Sequence, residues 1–161
     1  MKKKLVATLL MLSVFAFSMT GCRDEQPKEI TNDAVVVDEQ ENDTELEEYI
    51  ANIEEQSDSI KDALENEVVT QAEMNEKSQE LYELWDGALN YLWGELKKVL
   101  SEEEFEKLRD EQRTWIAQKE EAVETAGKEF EGGSLYPTIV NSEAAEITEK
   151  RVYELYELRK T

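Results

Sequence analysis

Two copies of one four-residue pattern constrain this chain more than anything else in it: Thr70-Gln71-Ala72-Glu73 and Ser101-Glu102-Glu103-Glu104. In each, a hydroxyl residue precedes an acid by three positions. At that spacing the hydroxyl oxygen accepts the backbone N–H of the acid, and the acid's carboxylate accepts the N–H of the hydroxyl residue. Two of the amides that a new helix leaves orphaned are then satisfied. Each pattern therefore marks a helix start. Between them, Leu81, Trp85, Leu89, Leu92, Leu96 and Val99 fall within about 80° of one another at 100° per residue, the geometry of a stripe facing a core. The first helix is predicted to run to about Val99. The second follows at once and is expected to turn Phe105, Leu108, Trp115 and Ile116 inward. So short a link predicts antiparallel neighbours.

The helical period continues on both sides. Residues 127–136, GKEFEGGSLY, break it, with Gly132 and Gly133 free to take positive φ. Pro137 suits the first turn of a last helix, along which Val140, Ala144, Ile147, Leu155 and Leu158 are spaced to face inward. Upstream, Leu46, Ile50, Ile53, Ile60 and Leu64 form a further stripe interrupted at Ser57. Asp43 or Thr44 is expected to cap this lead-in helix over residues 44–68, with Glu45, Glu47 and Glu48 in its positive first turn. Two uses of its stripe stay open: packing on the domain that follows, or pairing with a second copy as a homo-oligomer. No stretch alternates like a strand. The expected fold class is all-α, a small antiparallel bundle of three to four helices whose main domain is residues 70–161. Its 92 residues are enough to bury a core without staples.

Residues 1–21 have a different character: three lysines, an apolar run of 13 residues from Leu5 to Phe17, then small or polar residues. This is the layout of an export signal, and the run is short of the roughly 20 residues a permanent membrane helix needs. Ser18-Met19-Thr20-Gly21 before Cys22 resembles the bacterial lipobox, with Met19 where Leu is usual. The resemblance implies cleavage before Cys22 and acylation of that cysteine, the only one in the chain. Two or three acyl chains hold a membrane durably where one does not. Residues 22–43 then read as a charged, disordered tether spanning about 25 Å as a flexible coil.

Removing residues 1–21 takes away three lysines and no acid, leaving 15 basic against 39 acidic residues and a formal charge of −24. That balance argues against nucleic-acid partners, which need basic patches to displace phosphate counterions. It favours cationic partners, whose encounter it accelerates at low salt. With no second cysteine, an intramolecular disulfide is excluded.

Four blocks in order carry a family resemblance: Asp86, Leu89 and Asn90; Gln112, Arg113 and Trp115; Gly132, Gly133 and Ser134; Thr148 and Arg151. The sequence over residues 70–158 resembles the lysozyme inhibitor LprI N-terminal domain family of small exported bacterial proteins. The resemblance implies a binding protein that blocks lysozyme, a cationic enzyme with two carboxylates in its cleft. The chain departs from the family at Lys77, Val123 and Glu143, where many relatives carry cysteine, at Lys119-Glu120, where Arg-Asp is common, and at Trp93, where Tyr is usual.

The blocks suggest two structures. One is a polar clasp of Asp86, Asn90, Gln112, Arg113, Trp115, Thr148 and Arg151, in which Arg151 pairs with Asp86 while Asn90 and Gln112 hold backbone groups of the glycine loop. The other is a partner-binding loop, Glu131, Gly132, Gly133, Ser134 and Tyr136, whose hydroxyls can donate to buried acids. Catalysis is not expected: the chain has no histidine, no thiol besides Cys22, no phosphate-cradling glycine loop and no metal-ligand spacing. No cofactor is expected either. The alternative function is an envelope scaffold or interaction module working through residues 44–68.

Overall fold

The computed structural model describes residues 33–67 and 69–160, with side chains described from Asp43 onward. The leader, Cys22 and the tether up to residue 32 lie outside the described residues. Four helices follow in order: α1 (Asp33–Asn66), α2 (Gln71–Val99), α3 (Glu102–Gly127) and α4 (Tyr136–Arg159). A 3-10 turn, Lys128–Phe130, leads out of α3. No strand occurs among the described residues, and no helix among them is long and apolar enough to cross a membrane.

Both capping boxes form. Thr70 N–H donates to Glu73 Oε2 at 2.6 Å and Glu73 N–H to Thr70 Oγ1 at 3.3 Å; the Ser101 and Glu104 pair does the same at 3.0 and 3.4 Å. Accepting these bonds holds both carboxyls below the usual carboxylate range, Glu73 chiefly through the Thr70 backbone and Glu104 chiefly through the Ser101 hydroxyl. Pro137 stands in the first turn of α4, as expected from its fixed φ.

α2 is the buried axis of the molecule. Trp85, Leu92 and Leu96 are wholly sealed, and Leu81 and Leu89 nearly so. Val99, the expected end of the stripe, is instead 49% exposed, because the helix stops there and Leu100 takes the buried-side position at the corner. Ile116 and Leu158 are likewise exposed, against expectation. A stripe read at constant angle says which face a residue lies on, not whether a neighbour extends far enough to cover it.

α4 packs most extensively against α2 and also carries α3. The short α2–α3 link therefore does not produce closely packed neighbours. The two helices do run antiparallel, since Trp93 meets Phe105 and Tyr82 meets Lys119, but between these bridges they stand apart.

α1 begins at Asp33, not at Thr44. Residues 33–43 hold neither Pro nor Gly, and elongating a helix already nucleated by a packed stripe adds one hydrogen bond per residue fixed. The segment expected as tether is thus helical over its last part. The 44–68 stripe is spent inside the chain: Leu46, Ile50, Ile53, Ile60 and Ala63 are buried in the common core. Of the expected stripe, Leu64 alone is only partly buried, so the face expected for a homo-oligomer is largely turned inward among the described residues. Polar ties among the described side chains join α1 to α4, with Lys61 to Glu149 at 2.8 Å, Tyr153 Oη to Glu54 at 2.9 Å and Arg159 to Asp43 at 3.2 Å. Burial, then the hydrogen bond to Glu54, pushes the Tyr153 hydroxyl well above its ordinary value.

Candidate functional site

The helical spacing of Asp86, Leu89, Asn90 and Trp93 puts all four on one flank of α2, and Arg109, Gln112, Arg113, Ile116 and Lys119 share the facing flank of α3. Because α4 holds the two helices apart in the middle, these flanks line a groove of about 460 Å³, completed by Trp115 and Glu120. Its ends are closed by aromatic bridges. Trp93 leans on Phe105 at 4.9 Å between ring centroids, and at the other end Lys119 Nζ donates to Tyr82 Oη at 3.2 Å. The same ammonium lies 5.1 Å from the ring centroids of both Tyr82 and Trp115, within cation–π range.

The two amide side chains of the groove are tied separately. Asn90 Nδ2 donates to the Asp86 carbonyl at 2.8 Å and to its carboxylate at 3.0 Å, a bond within α2. Arg151 reaches from α4 behind the groove, and its Nε donates to Gln112 Oε1 at 3.0 Å while Nη1 pairs with Glu154 at 2.7 Å. The expected clasp is therefore corrected. Arg151 takes Gln112 and Glu154 in place of Asp86, and neither Asn90 nor Gln112 holds the glycine loop. Thr148 is fully buried and donates to the Ala144 carbonyl one turn back, so it takes no part. Arg113 is exposed and pairs with Asp110 on its own helix. Five of the seven expected residues, Asp86, Asn90, Gln112, Arg113 and Trp115, line the groove, and Arg151 braces it.

The glycine loop lies at the other end of α2, beside Asn75. Asn75 precedes Asn90 by 15 residues, about 22 Å of helix at 1.5 Å per residue. Glu131, Gly132, Gly133 and Ser134 are all exposed, and Gly132 has φ of 74°. The knuckle is anchored by residues that sequence reasoning did not single out. Asn75 Nδ2 donates to the Ser134 carbonyl at 3.2 Å, Thr138 Oγ1 to Asn75 Oδ1 at 2.6 Å, and Gln71 Nε2 to Thr138 Oγ1 at 3.1 Å. The available signal was a Thr directly after Pro137, at a helix start where it must find partners across the turn. Tyr136 is half-buried, its ring so close to Gly127 that a Cβ there would lie 2.8 Å from it. Of the two expected hydroxyl donors, Tyr136 is thus built into the support and Ser134 stands at the tip.

The family model described as lysozyme inhibitor LprI matches residues 62–155, from the end of α1 through nearly all of α4. An uncharacterized protein of Rhizobium meliloti (strain 1021) is 45% identical over 53 residues, which cover 33% of this chain and 38% of that protein. The chain thus spans well under half the length of this relative. No solved structure matches the chain.

Proposed function

The chain belongs to the lysozyme inhibitor LprI family, and from that premise we propose that it is an exported, lipid-anchored binding protein that captures a cationic lysozyme-type enzyme and blocks it. It works by binding, with no chemistry of its own. The observation that carries this reading is the exposed Glu131–Ser134 knuckle, held off the bundle end by the Asn75 and Thr138 hydrogen bonds. A stiff protrusion loses little entropy on entering a cleft. Its glycines permit close approach and the Ser134 hydroxyl offers a donor to cleft carboxylates. The processed chain's charge of −24 steers a cationic partner toward it.

The test is a turnover assay of lysozyme on bacterial cell walls with the purified protein added, at low and at physiological salt. Inhibition that weakens with salt is expected. Unchanged turnover at every salt concentration and a large molar excess would end the proposal. The scaffold alternative loses its main support, because the α1 stripe that was to pair with another chain is buried within this one.

A further inference from the structure

The two amide side chains of the α2–α3 groove are each tied at one end only. Asn90 uses its Nδ2 on Asp86, which leaves Oδ1 as an uncommitted acceptor. Gln112 uses its Oε1 on Arg151, which leaves Nε2 as an uncommitted donor. One acceptor and one donor complement a secondary amide, which carries one N–H and one C=O. The bond from Arg151 fixes which end of the Gln112 amide is left over, and the bond to Asp86 does the same for Asn90.

Three cations, Arg109, Arg113 and Lys119, line the groove beside two acids, Asp86 and Glu120, in a chain of net charge −21, and Arg109 is paired with Glu106 on its own helix. Lys119 has no carboxylate partner among the described residues; it is held by the Tyr82 hydroxyl and two aromatic rings instead. Arg113 has only an exposed pair with Asp110, of the kind worth little in water and readily exchanged. Two indoles, Trp93 and Trp115, and the 40%-exposed Ile116 supply apolar surface beside these polar groups. The volume, about 460 Å³, falls in the range of small-molecule sites, about 300 to 1,000 Å³.

We propose that this groove is a binding site for an N-acylated amino sugar bearing a carboxylate. The acyl amide bridges Asn90 Oδ1 and Gln112 Nε2, and the carboxylate is taken by Lys119 and Arg113 as charge-assisted hydrogen bonds. The C–H face of the pyranose ring covers indole surface, which large rigid rings offer at small entropic cost. The charge complementarity selects the acid, and the flat apolar walls select a ring over an extended peptide.

The experiment titrates the purified protein with N-acetylmuramic acid and follows tryptophan fluorescence. Trp93 and Trp115 report the groove while Trp85 is sealed in the core. N-Acetylglucosamine, which lacks the carboxylate, and glucuronic acid, which lacks the amide, are each expected to bind at least tenfold more weakly. Lys119→Gln with Arg113→Gln is expected to abolish the preference for the acid without altering the circular dichroism spectrum, and Asn90→Ala the preference for the acetamide. Equal affinity for all three sugars, or affinity unchanged in these variants, would overturn the assignment. So would tighter binding of acetyl-alanyl-glutamate, which has the amide and the carboxylate but no pyranose. No lysozyme is present in this titration, so its outcome is separate from that of the inhibition assay.

Discussion

Trp85 donates its indole N–H to Ser57 Oγ at 3.1 Å between α1 and α2, at a point where the two residues are 0% and 1% exposed. The break in the α1 stripe is thus the acceptor that allows the largest core side chain to be buried whole. A buried indole N–H without a partner costs the desolvation of that donor. Ser57→Ala is expected to destabilise the protein by about 1–3 kcal/mol. A urea unfolding series followed by far-ultraviolet circular dichroism checks it, and a midpoint equal to that of the unaltered protein would show the bond to be dispensable.

Gly127 ends α3 against α4 with no room to spare. A Cβ at this position would lie 2.6 Å from Val140 Cγ1 and 2.8 Å from the Tyr136 ring. Gly127→Ala is therefore expected to force the two helices apart at a cost of about 1–3 kcal/mol, in the range of overpacked cores. Gly87, where an added Cβ meets nothing within 4 Å, is the control, and Gly87→Ala is expected to be neutral or stabilising.

The helix starts should register acid. Glu73 and Glu104 have depressed pKa values in the fold because Thr70 and Ser101 donate to them. A depressed carboxyl contributes stability that is complete above its unfolded pKa, about 4.3, and is lost as pH falls through the lower folded value. Stability from the two caps is expected to be flat from neutral pH down to about pH 5 and to decline below about pH 4. Carboxyl titration by NMR checks this. Ser101→Ala, which removes the chief donor, should return Glu104 toward its ordinary value, and Thr70→Ala, which leaves the chief backbone donor in place, should return Glu73 by a smaller amount; a Glu104 curve unmoved by Ser101→Ala would contradict the account.

The knuckle depends on Asn75. Asn75→Ala removes the donor to the Ser134 carbonyl and the acceptor for Thr138. Hydrogen exchange over residues 131–135 is expected to quicken while exchange along α2 holds, and lysozyme inhibition, where measured, is expected to weaken about tenfold as ordering costs rise. Unaltered exchange in the loop would mean that other contacts hold it.

The proposed lipid anchor depends on Cys22. Cys22→Ala is expected to leave an uncleaved precursor or to release the protein from membranes. Recovery of the variant with membranes at processed mass would refute the lipid anchor.

Local chemistry was legible in the sequence, and tertiary choice was not. The caps at Thr70 and Ser101, the α2 stripe and the Pro137 start each depend on residues within a few positions of one another, and each was found where it was read. The partner of Arg151 depends on how far α2 and α3 diverge, which no spacing within either helix encodes. The same is true of Asn75, whose partners lie 59 and 63 residues away. The groove was half legible: its residues were picked out together, but as a clasp, because polar side chains on facing helices look alike whether they close on each other or leave a space between them.

α4 is the last of the described helices and the one on which both α2 and α3 pack. Until it emerges, α2 has only α1 against which to bury its stripe, and α3 lacks the helix on which it packs most. The helix made last among those described therefore completes the burial of helices made before it.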